Sequence, residues 1–331
     1  MGVTLVTVTF VTVARVFVAG TPPKPAHNMR PVAWRALAGE RGRMRVSDVA
    51  QLVGMVAVVA VVVVSVARGR HPDRRDVHVV RGARRTTLVS TTTDGAGDEV
   101  RVLRAGGALQ SATYLDGRRM EPAFAYYRTL MGVLDLLPWM ADLLVIGGGG
   151  FALPKAVAAT RPGVRTTVVE LDRAVVAAAR RWFFLDEACE LAAAGAGELR
   201  VTCEDGRAVL DAAAASGERC DAIVLDAFDG GRPVDSLATV EAARVAHALL
   251  GGTGVLLANV APEDGSASFL RSYVAALVDE FQAVWLLPCE DEAWGHVQNV
   301  IVVASDAFLD LPEAVPFGED FLGEPLRDAD L

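Results

Sequence analysis

Four acidic residues in the second half of the chain follow short apolar runs, where a carboxylate can reach a ligand. They are Glu170, Asp205, Asp226 and Asp229. Glu170 is placed to accept hydrogen bonds from ribose hydroxyls, and Asp205 to accept one from an exocyclic adenine amine. Asp226 and Asp229 predict a carboxylate-rich pocket that suits a cationic amine and could take a proton from it. A single acid at such a position also caps helices, so a structural role for Asp205 stays open.

A glycine run between two apolar segments supports the nucleoside interpretation. Residues 143–146 (LLVI) predict a buried strand, the run 147–150 breaks it, and a helical pattern follows. A glycine turn lets backbone N–H groups and a helix N-terminus approach a ligand closely. Glu170 follows at about 20 residues, the spacing at which an acid reaches a ribose. The predicted nucleoside-binding residues are Gly147, Gly148, Gly149, Gly150, Glu170, Asp205 and Gly206.

Strand and helix patterns alternate through residues 138–305, which predicts an α/β domain with a doubly wound, mostly parallel sheet. Ligands of such sheets bind beyond the carboxyl ends of the strands, where the strand order reverses. Residues 84–137 predict a small β subdomain followed by a lead-in helix, with a hairpin at Gly106–Gly107. The sequence therefore places the acids and the glycine run at one edge of one sheet.

Composition restricts the partners. The chain has 331 residues and a formal net charge of −9, which argues against a nucleic-acid interface. Its four scattered cysteines suit buried thiols better than disulfides or a zinc site, and no metal is expected. Residues 306–331 carry eight acids and one arginine, which predicts a solvated, partly disordered tail.

The amino-terminal part predicts a membrane anchor. Residues 49–67 carry no charge, and as a helix they would extend about 28 Å, close to the hydrocarbon thickness of a bilayer. We assign the transmembrane helix to residues 47–68, although a buried strand is the alternative. The Arg-rich linker 69–83 follows it and places the downstream domain in the cytoplasm. Residues 1–46 read as an extension whose apolar start is interrupted by Arg15, and Met29 or Met44 could be the true start.

Four motifs resemble the spermidine/spermine synthases, a family of aminopropyltransferases. They are VIGGGG (145–150), VVELD (168–172), CEDGRAVL (203–210) and the long block CDAIVLDAFDGGRPVDSLATVEAARVAHALLGGTGVLLAN (220–259). The resemblance covers about residues 98–305 and includes the family's order of a β-rich subdomain, a glycine loop and a D-x-x-D segment. The D-x-x-D segment is the most specific motif, because ordinary methyltransferases usually lack it after the fourth strand.

The resemblance implies a fold, a reaction and roles for individual residues. The fold would be the seven-stranded, methyltransferase-like (Rossmann-like) sheet, and decarboxylated S-adenosylmethionine (AdoMet) or AdoMet would be the co-substrate. Asp226 would be the base that activates a small-molecule amine, with Asp229 supporting it and Tyr127 lining the amine pocket. Residues 227–237 would form a gate over the site. The protein would be a homodimer or a tetramer, as related enzymes usually are.

The chain also departs from the family, and this keeps other functions open. Gly150 stands where the family has an aspartate that contacts the aminopropyl group. Arg128 adds a base beside Tyr127, where it could pair with Asp226 or Asp229, or with the carboxylate of AdoMet. The alternatives are therefore AdoMet-dependent methyl transfer and a non-catalytic, membrane-anchored nucleoside-binding protein. A nicotinamide-dependent oxidoreductase is a more distant one.

Overall fold

The computed structural model describes residues 77–82, 86–105, 108–229, 232–261, 267–294 and 297–331. The predicted extension 1–46 and transmembrane helix 47–68 lie outside these residues and stay predictions. Within the described ranges, no helix combines the length and the apolar character needed to cross a bilayer.

The strands fall into two principal groups along the chain. The first four are β1 (His78–Arg81), β2 (Thr86–Thr93), β3 (Glu99–Ala105) and β4 (Ala108–Tyr114). The others are β5 (Asp142–Ile146), β6 (Arg165–Val169), β7 (Glu198–Thr202), β8 (Ala222–Leu225), β9 (Phe228–Asp229), β10 (Arg232–Pro233), β11 (Val255–Val260), β12 (Ala283–Asp291) and β13 (Val297–Ser305).

Seven α-helices occur in the described residues. They are α1 (Ala125–Asp135), α2 (Ala152–Thr160), α3 (Arg173–Trp182), α4 (Leu185–Ala194), α5 (Gly206–Ser216), α6 (Val240–Leu250) and α7 (Ser268–Val278). The pattern AVVAAARRWFF predicts one helix through residue 184, but the chain turns at Phe184, whose φ is +61°, and α4 begins directly afterwards. The break follows from packing, because Phe183 and Leu185 are both fully buried.

The large sheet confirms the predicted doubly wound architecture. Its strand order is β12-β13-β11-β8-β5-β6-β7, parallel from β11 to β7, with β13 antiparallel to both of its neighbours. All four residues of β8 are buried, and alternate residues pack into the two apolar cores on opposite faces of the sheet. The strand order reverses between β5 and β8, so a crevice opens at their carboxyl ends.

The small sheet has the antiparallel order β1-β2-β3-β4. Strand β1 corrects the predicted linker 69–83, because the alternating run HVVR pairs with β2 instead of remaining irregular. The ring of His78 also stacks on Trp182, with centroids 4.6 Å apart. Buried Lys155 of α2 fixes this subdomain to the large sheet, since its Nζ donates to Thr113 Oγ1 at 2.7 Å and to the Arg119 carbonyl at 3.0 Å. Burial lowers the pKa of Lys155 to about 7.

The acidic tail is ordered along the domain, which corrects the prediction of a partly disordered segment. Its backbone bridges to β12, where Val315 N donates to the Leu286 carbonyl at 2.9 Å. Asp328 accepts two hydrogen bonds from Arg207, at 2.8 and 2.6 Å. The composition predicted disorder because it shows the excess of acids but not the arginine that pairs with one of them.

Candidate active site

A cavity of about 580 Å³ lies where the strand order of the large sheet reverses. The loops after β5, β6, β7 and β8, the end of β11, helix α1 and the small sheet all contribute to its wall. It contains most of the predicted site residues, namely Gly147, Gly149, Glu170, Asp205, Gly206, Asp226 and Tyr127. Gly148 and Gly150 belong to the same loop but do not line the cavity.

The glycine loop approaches the backbone after β8 too closely for a side chain. Gly147 has φ of +101°, and a Cβ there would lie 2.2 Å from the carbonyl oxygen of Asp226. Gly149 has φ of +50°, also in the left-handed region. The loop therefore needs glycine for its conformation and for its contact with the segment that carries Asp226.

Glu170 holds the glycine loop. Its Oε2 accepts hydrogen bonds from the N–H groups of Gly148 (2.9 Å) and Gly149 (3.2 Å), and its Oε1 accepts one from Asp172 N (2.9 Å). Glu170 also lines the cavity. Contact with a ribose stays a prediction, and the geometry adds a second role in shaping the loop.

Asp205 takes the structural role that the sequence left open, while still lining the cavity. Its side chain caps α5 by accepting a hydrogen bond from Ala208 N at 3.1 Å. A Cβ at Gly206 would lie 2.2 Å from Ile146 Cγ2, so glycine lets α5 begin directly against β5. We call the part of the cavity lined by Gly147, Gly149, Glu170, Asp172, Glu204, Asp205 and Gly206 the glycine-loop half.

Asp226 lies between groups that can only donate to it. Its Oδ1 accepts from Asn259 Nδ2 at 2.8 Å, and its Oδ2 accepts from the Tyr126 hydroxyl at 3.4 Å. Dense packing around the carboxylate raises the pKa of Asp226 to about 6, and the hydrogen bonds from Asn259 and the two tyrosines of α1 oppose that rise. A carboxylate that titrates near neutral pH is suited to accept a proton during a reaction.

Aromatic side chains share the cavity wall with Asp226, and only Tyr127 among them was predicted from the sequence. The Tyr126 and Tyr127 rings lie 4.0 Å apart, and Phe124 contacts Trp294 edge-on at 5.0 Å. Burial and the nearby Asp226 raise the pKa of both tyrosines well above the usual value, so they stay neutral. The FAYY run at the start of α1 was the signal for Tyr126, but the sequence alone does not show which ring faces the acid.

A further acid, Asp291, also went unrecognised. It is buried at the carboxyl end of β12, lines the cavity and accepts a hydrogen bond from Ala125 N at 2.6 Å, at the start of α1. We call the part of the cavity lined by Phe124, Tyr126, Tyr127, Asp226, Asn259, Asp291, Trp294 and Asn299 the tyrosine half. Nothing in the local sequence around Asp291 distinguishes it from the other acids of the C-terminal region.

The structure gives a physical reason for one departure from the family pattern. A Cβ at Gly150 would lie 2.4 Å from Ser111 Oγ and 2.7 Å from Ser111 Cβ, because β4 covers this position. Arg128 does not pair with Asp226, which corrects that expectation. Arg128 does not line the cavity, and its guanidinium donates to the carbonyls of Pro122 and Ala123.

The described residues of the predicted gate segment, 227–229 and 232–237, lie at the cavity. Within it, β9 pairs with β10, and Phe228, Val234 and Leu237 line the cavity. Asp229 lies on β9, but its side chain is not among those that the structure describes. Its supporting role therefore stays a prediction.

Negative charge dominates the described wall of the cavity. Its carboxylates are Glu170, Asp172, Glu204, Asp205, Asp226 and Asp291. Among the described residues, Arg207 is the basic side chain that faces it, and Arg207 is paired with Asp211 and Asp328. The described residues also contain no group of His, Cys, Asp and Glu side chains that could hold a metal ion.

Comparison with known proteins agrees with the resemblance that the motifs indicate. No protein-family model matches the chain. The chain is 31% identical over 156 residues to a protein named polyamine aminopropyltransferase from Vibrio vulnificus (strain CMCP6), which covers 47% of this chain. That match spans about half of the relative's own length (50%).

Solved structures show the fold. A probable spermidine synthase from Corynebacterium glutamicum ATCC 13032 superposes with a TM-score of 0.56 at 20% identity, covering 70% of this chain and 81% of that one. A spermidine synthase in complex with the transition state analogue AdoDATO gives 0.57 at 17% identity, covering 73% and 77%. The resemblance found in the sequence is therefore confirmed: this chain is a divergent relative of a polyamine aminopropyltransferase and has the fold of spermidine synthases.

Proposed function

We propose that the protein transfers an aminopropyl group from decarboxylated AdoMet to a small-molecule amine. The observation that carries this proposal is Asp226, a carboxylate with a pKa of about 6 that faces the cavity beside the glycine loop. The similarity to a polyamine aminopropyltransferase supports it.

The glycine-loop half would hold the nucleoside. The glycine turn lets the ligand approach the backbone, and Glu170 and Asp205 offer carboxylate oxygens for the ribose and the adenine amine. The cluster of carboxylates suits a co-substrate whose charges are positive, a sulfonium and an ammonium. AdoMet itself carries an additional carboxylate, which this wall would repel.

The tyrosine half would hold the acceptor and move one proton. A cationic amine would be attracted by Asp226 and by the faces of the aromatic rings. Asp226 takes a proton from the ammonium, and the freed nitrogen lone pair attacks the aminopropyl carbon bound to sulfur. A C–N bond forms as the C–S bond breaks, the electron pair goes to sulfur, and methylthioadenosine leaves as a neutral thioether.

The decisive experiment is calorimetric titration of the full chain with decarboxylated AdoMet, AdoMet and methylthioadenosine, followed by turnover with a set of amines. We expect tighter binding of decarboxylated AdoMet than of AdoMet, and release of methylthioadenosine only when an amine is present. Preference for AdoMet together with methylated products would replace the proposal with methyl transfer. Absence of binding to all three ligands would favour a non-catalytic role.

We further propose that residues 47–68 anchor the protein in a membrane with the catalytic domain in the cytoplasm, and that it forms a homodimer. The uncharged run 49–67 and the basic segment after it support the anchor. Membrane fractionation of the full chain and of a variant lacking residues 1–68 tests the anchor, which fails if both remain in the soluble fraction. Light scattering of the shorter variant tests the dimer, which fails if the mass is that of one chain.

A further inference from the structure

Two asparagines link Asp226 by hydrogen bonds to β13, which lies two strands away from β8. Asn299 on β13 donates from Nδ2 to Asn259 Oδ1 at 2.8 Å, and Asn259 on β11 donates from Nδ2 to Asp226 Oδ1 at 2.8 Å. Both amides are almost inaccessible, 8% exposed for Asn299 and 4% for Asn259. Because β8, β11 and β13 are adjacent, the three side chains form one row at the ligand edge.

The direction of this row follows from the chemistry of its end groups. An ionised carboxylate can only accept hydrogen bonds, so Asn259 must present its NH₂ to Asp226. Its carbonyl oxygen then faces Asn299, which must donate. Without a donor at position 299, the Asn259 amide could rotate and present its oxygen to Asp226, an arrangement that favours the protonated acid.

We propose that Asn299 is a positioning residue that fixes the Asn259 amide and thereby keeps Asp226 ionised and its second oxygen directed at the substrate. The inference rests on the proposed function, in which Asp226 is the base. Asn299 acts on Asp226 through Asn259, to which it is hydrogen-bonded, and makes no hydrogen bond to Asp226 itself.

The other groups around Asp226 do not replace this row. Helix α1 contributes Tyr126 and Tyr127, neutral donors on the opposite side of the carboxylate. The carboxylates of Glu170, Asp205 and Asp291 line the same cavity but are bonded to backbone N–H groups, not to Asp226. Replacing Asn299 therefore removes a hydrogen-bond donor from the amide row and leaves every aromatic side chain of the cavity wall in place.

The test is the pH dependence of kcat/KM for the full chain carrying Asn299→Leu, with decarboxylated AdoMet and an accepted amine. We expect the acid limb to move up by about one pH unit, so kcat/KM falls about fivefold at pH 6 and recovers to within about twofold at pH 9. A loss by the same factor at every pH would overturn the proposal, because it would show a purely structural role. The matched control is Ser305→Ala, which removes another buried hydrogen bond from β13, 2.8 Å to the Gly254 carbonyl, roughly 20 Å along the strand. It should leave the acid limb in place.

A second measurement separates this inference from the proposed function. Carboxyl ¹³C NMR of protein labelled at aspartate Cγ, with the Asp226 signal assigned through Asp226→Asn, reports the pKa of Asp226 without any turnover. Asn299→Leu should raise it by about one unit. An unchanged pKa would refute the positioning role even if aminopropyl transfer is observed. A raised pKa would support that role even if the wild-type protein transfers no aminopropyl group.

Discussion

The glycine-loop half and the tyrosine half of the cavity use their acids in opposite ways. In the glycine-loop half, Glu170 and Asp205 accept hydrogen bonds from backbone N–H groups within about 22 residues of themselves along the chain. In the tyrosine half, Asp226 accepts from Tyr126 and Asn259, which lie 100 and 33 residues away. The first set of acids builds the loop and helix that a ligand would contact, whereas Asp226 is held by side chains and remains available for proton transfer.

This difference predicts how much structure or activity is lost when each acid is replaced by its amide. An acid that caps a helix through one oxygen, as Asp205 does, can be replaced by its amide with little loss, since the amide oxygen still accepts. An acid that takes a proton cannot, because the amide is not a base at accessible pH. The same substitution in the two halves should therefore separate shape from chemistry.

The largest expected effect is on Asp226→Asn, which should lower kcat for amine-dependent transfer by about 10²- to 10⁴-fold. Affinity for methylthioadenosine should stay within a few fold, because the glycine-loop half is untouched. Initial rates and calorimetry check both values. The matched change Asp205→Asn keeps the α5 cap and should act mainly on KM for the nucleoside co-substrate. Full activity of Asp226→Asn would show that the base is assigned wrongly.

How much of each half could be predicted from the sequence follows from the same contrast. The glycine loop, Glu170 and Asp205 lie within short motifs whose spacing reports local geometry, and the strand–helix alternation predicted the sheet. Asn259, Asn299 and Asp291 lie on β11, β13 and β12, and only the order of those strands brings them to the cavity that contains Asp226. Tyr127 was predicted and Tyr126 was not, because adjacent helical residues diverge by about 100° and the sequence does not fix the rotation of α1.

The second effect concerns Gly150, where the glycine loop differs from the pattern of the spermidine/spermine synthases. Gly150→Asp should lower the free energy of unfolding by about 2 to 3 kcal/mol, because the new Cβ meets Ser111. Combining it with Ser111→Gly should recover part of the loss in a double-mutant cycle. Gly132→Asp, at an exposed helix position with open space, is the control for the residue type. If Gly150→Asp alone is as stable as the wild type, the covering by β4 is not the reason for the departure.

The third prediction concerns the stability of Asp226→Asn. This variant should be more stable than the wild type although it is less active. The folded pKa of Asp226 is raised to about 6 from 3.8, so between these values the folded state binds more protons than the unfolded state. Its contribution is therefore unfavourable above pH 6 and disappears as the pH falls through about 6 towards 4. Asp226→Asn should raise the free energy of unfolding by about 1 to 2 kcal/mol at pH 8 and leave it unchanged at pH 4. Denaturant titration at the two pH values measures both changes. Equal stability at both pH values would contradict the claim that burial of this charge opposes folding.

The smallest effect tests how the tail supports the glycine-loop half. Asp328 pairs with Arg207, which lines the cavity next to Gly206, and also accepts from Thr239 Oγ1 at 2.7 Å. Both partners of the ion pair are partly exposed, so Asp328→Asn should cost only about 0.5 to 1 kcal/mol of unfolding free energy. Arg207, left with Asp211 as its ion-pair partner, would weaken the negative field of the cavity and lower the preference for decarboxylated AdoMet over AdoMet by about two- to threefold. Glu324→Gln in the same tail, which is not part of that pair, is the control. A change in stability without any change in ligand preference would confine the tail to a structural role.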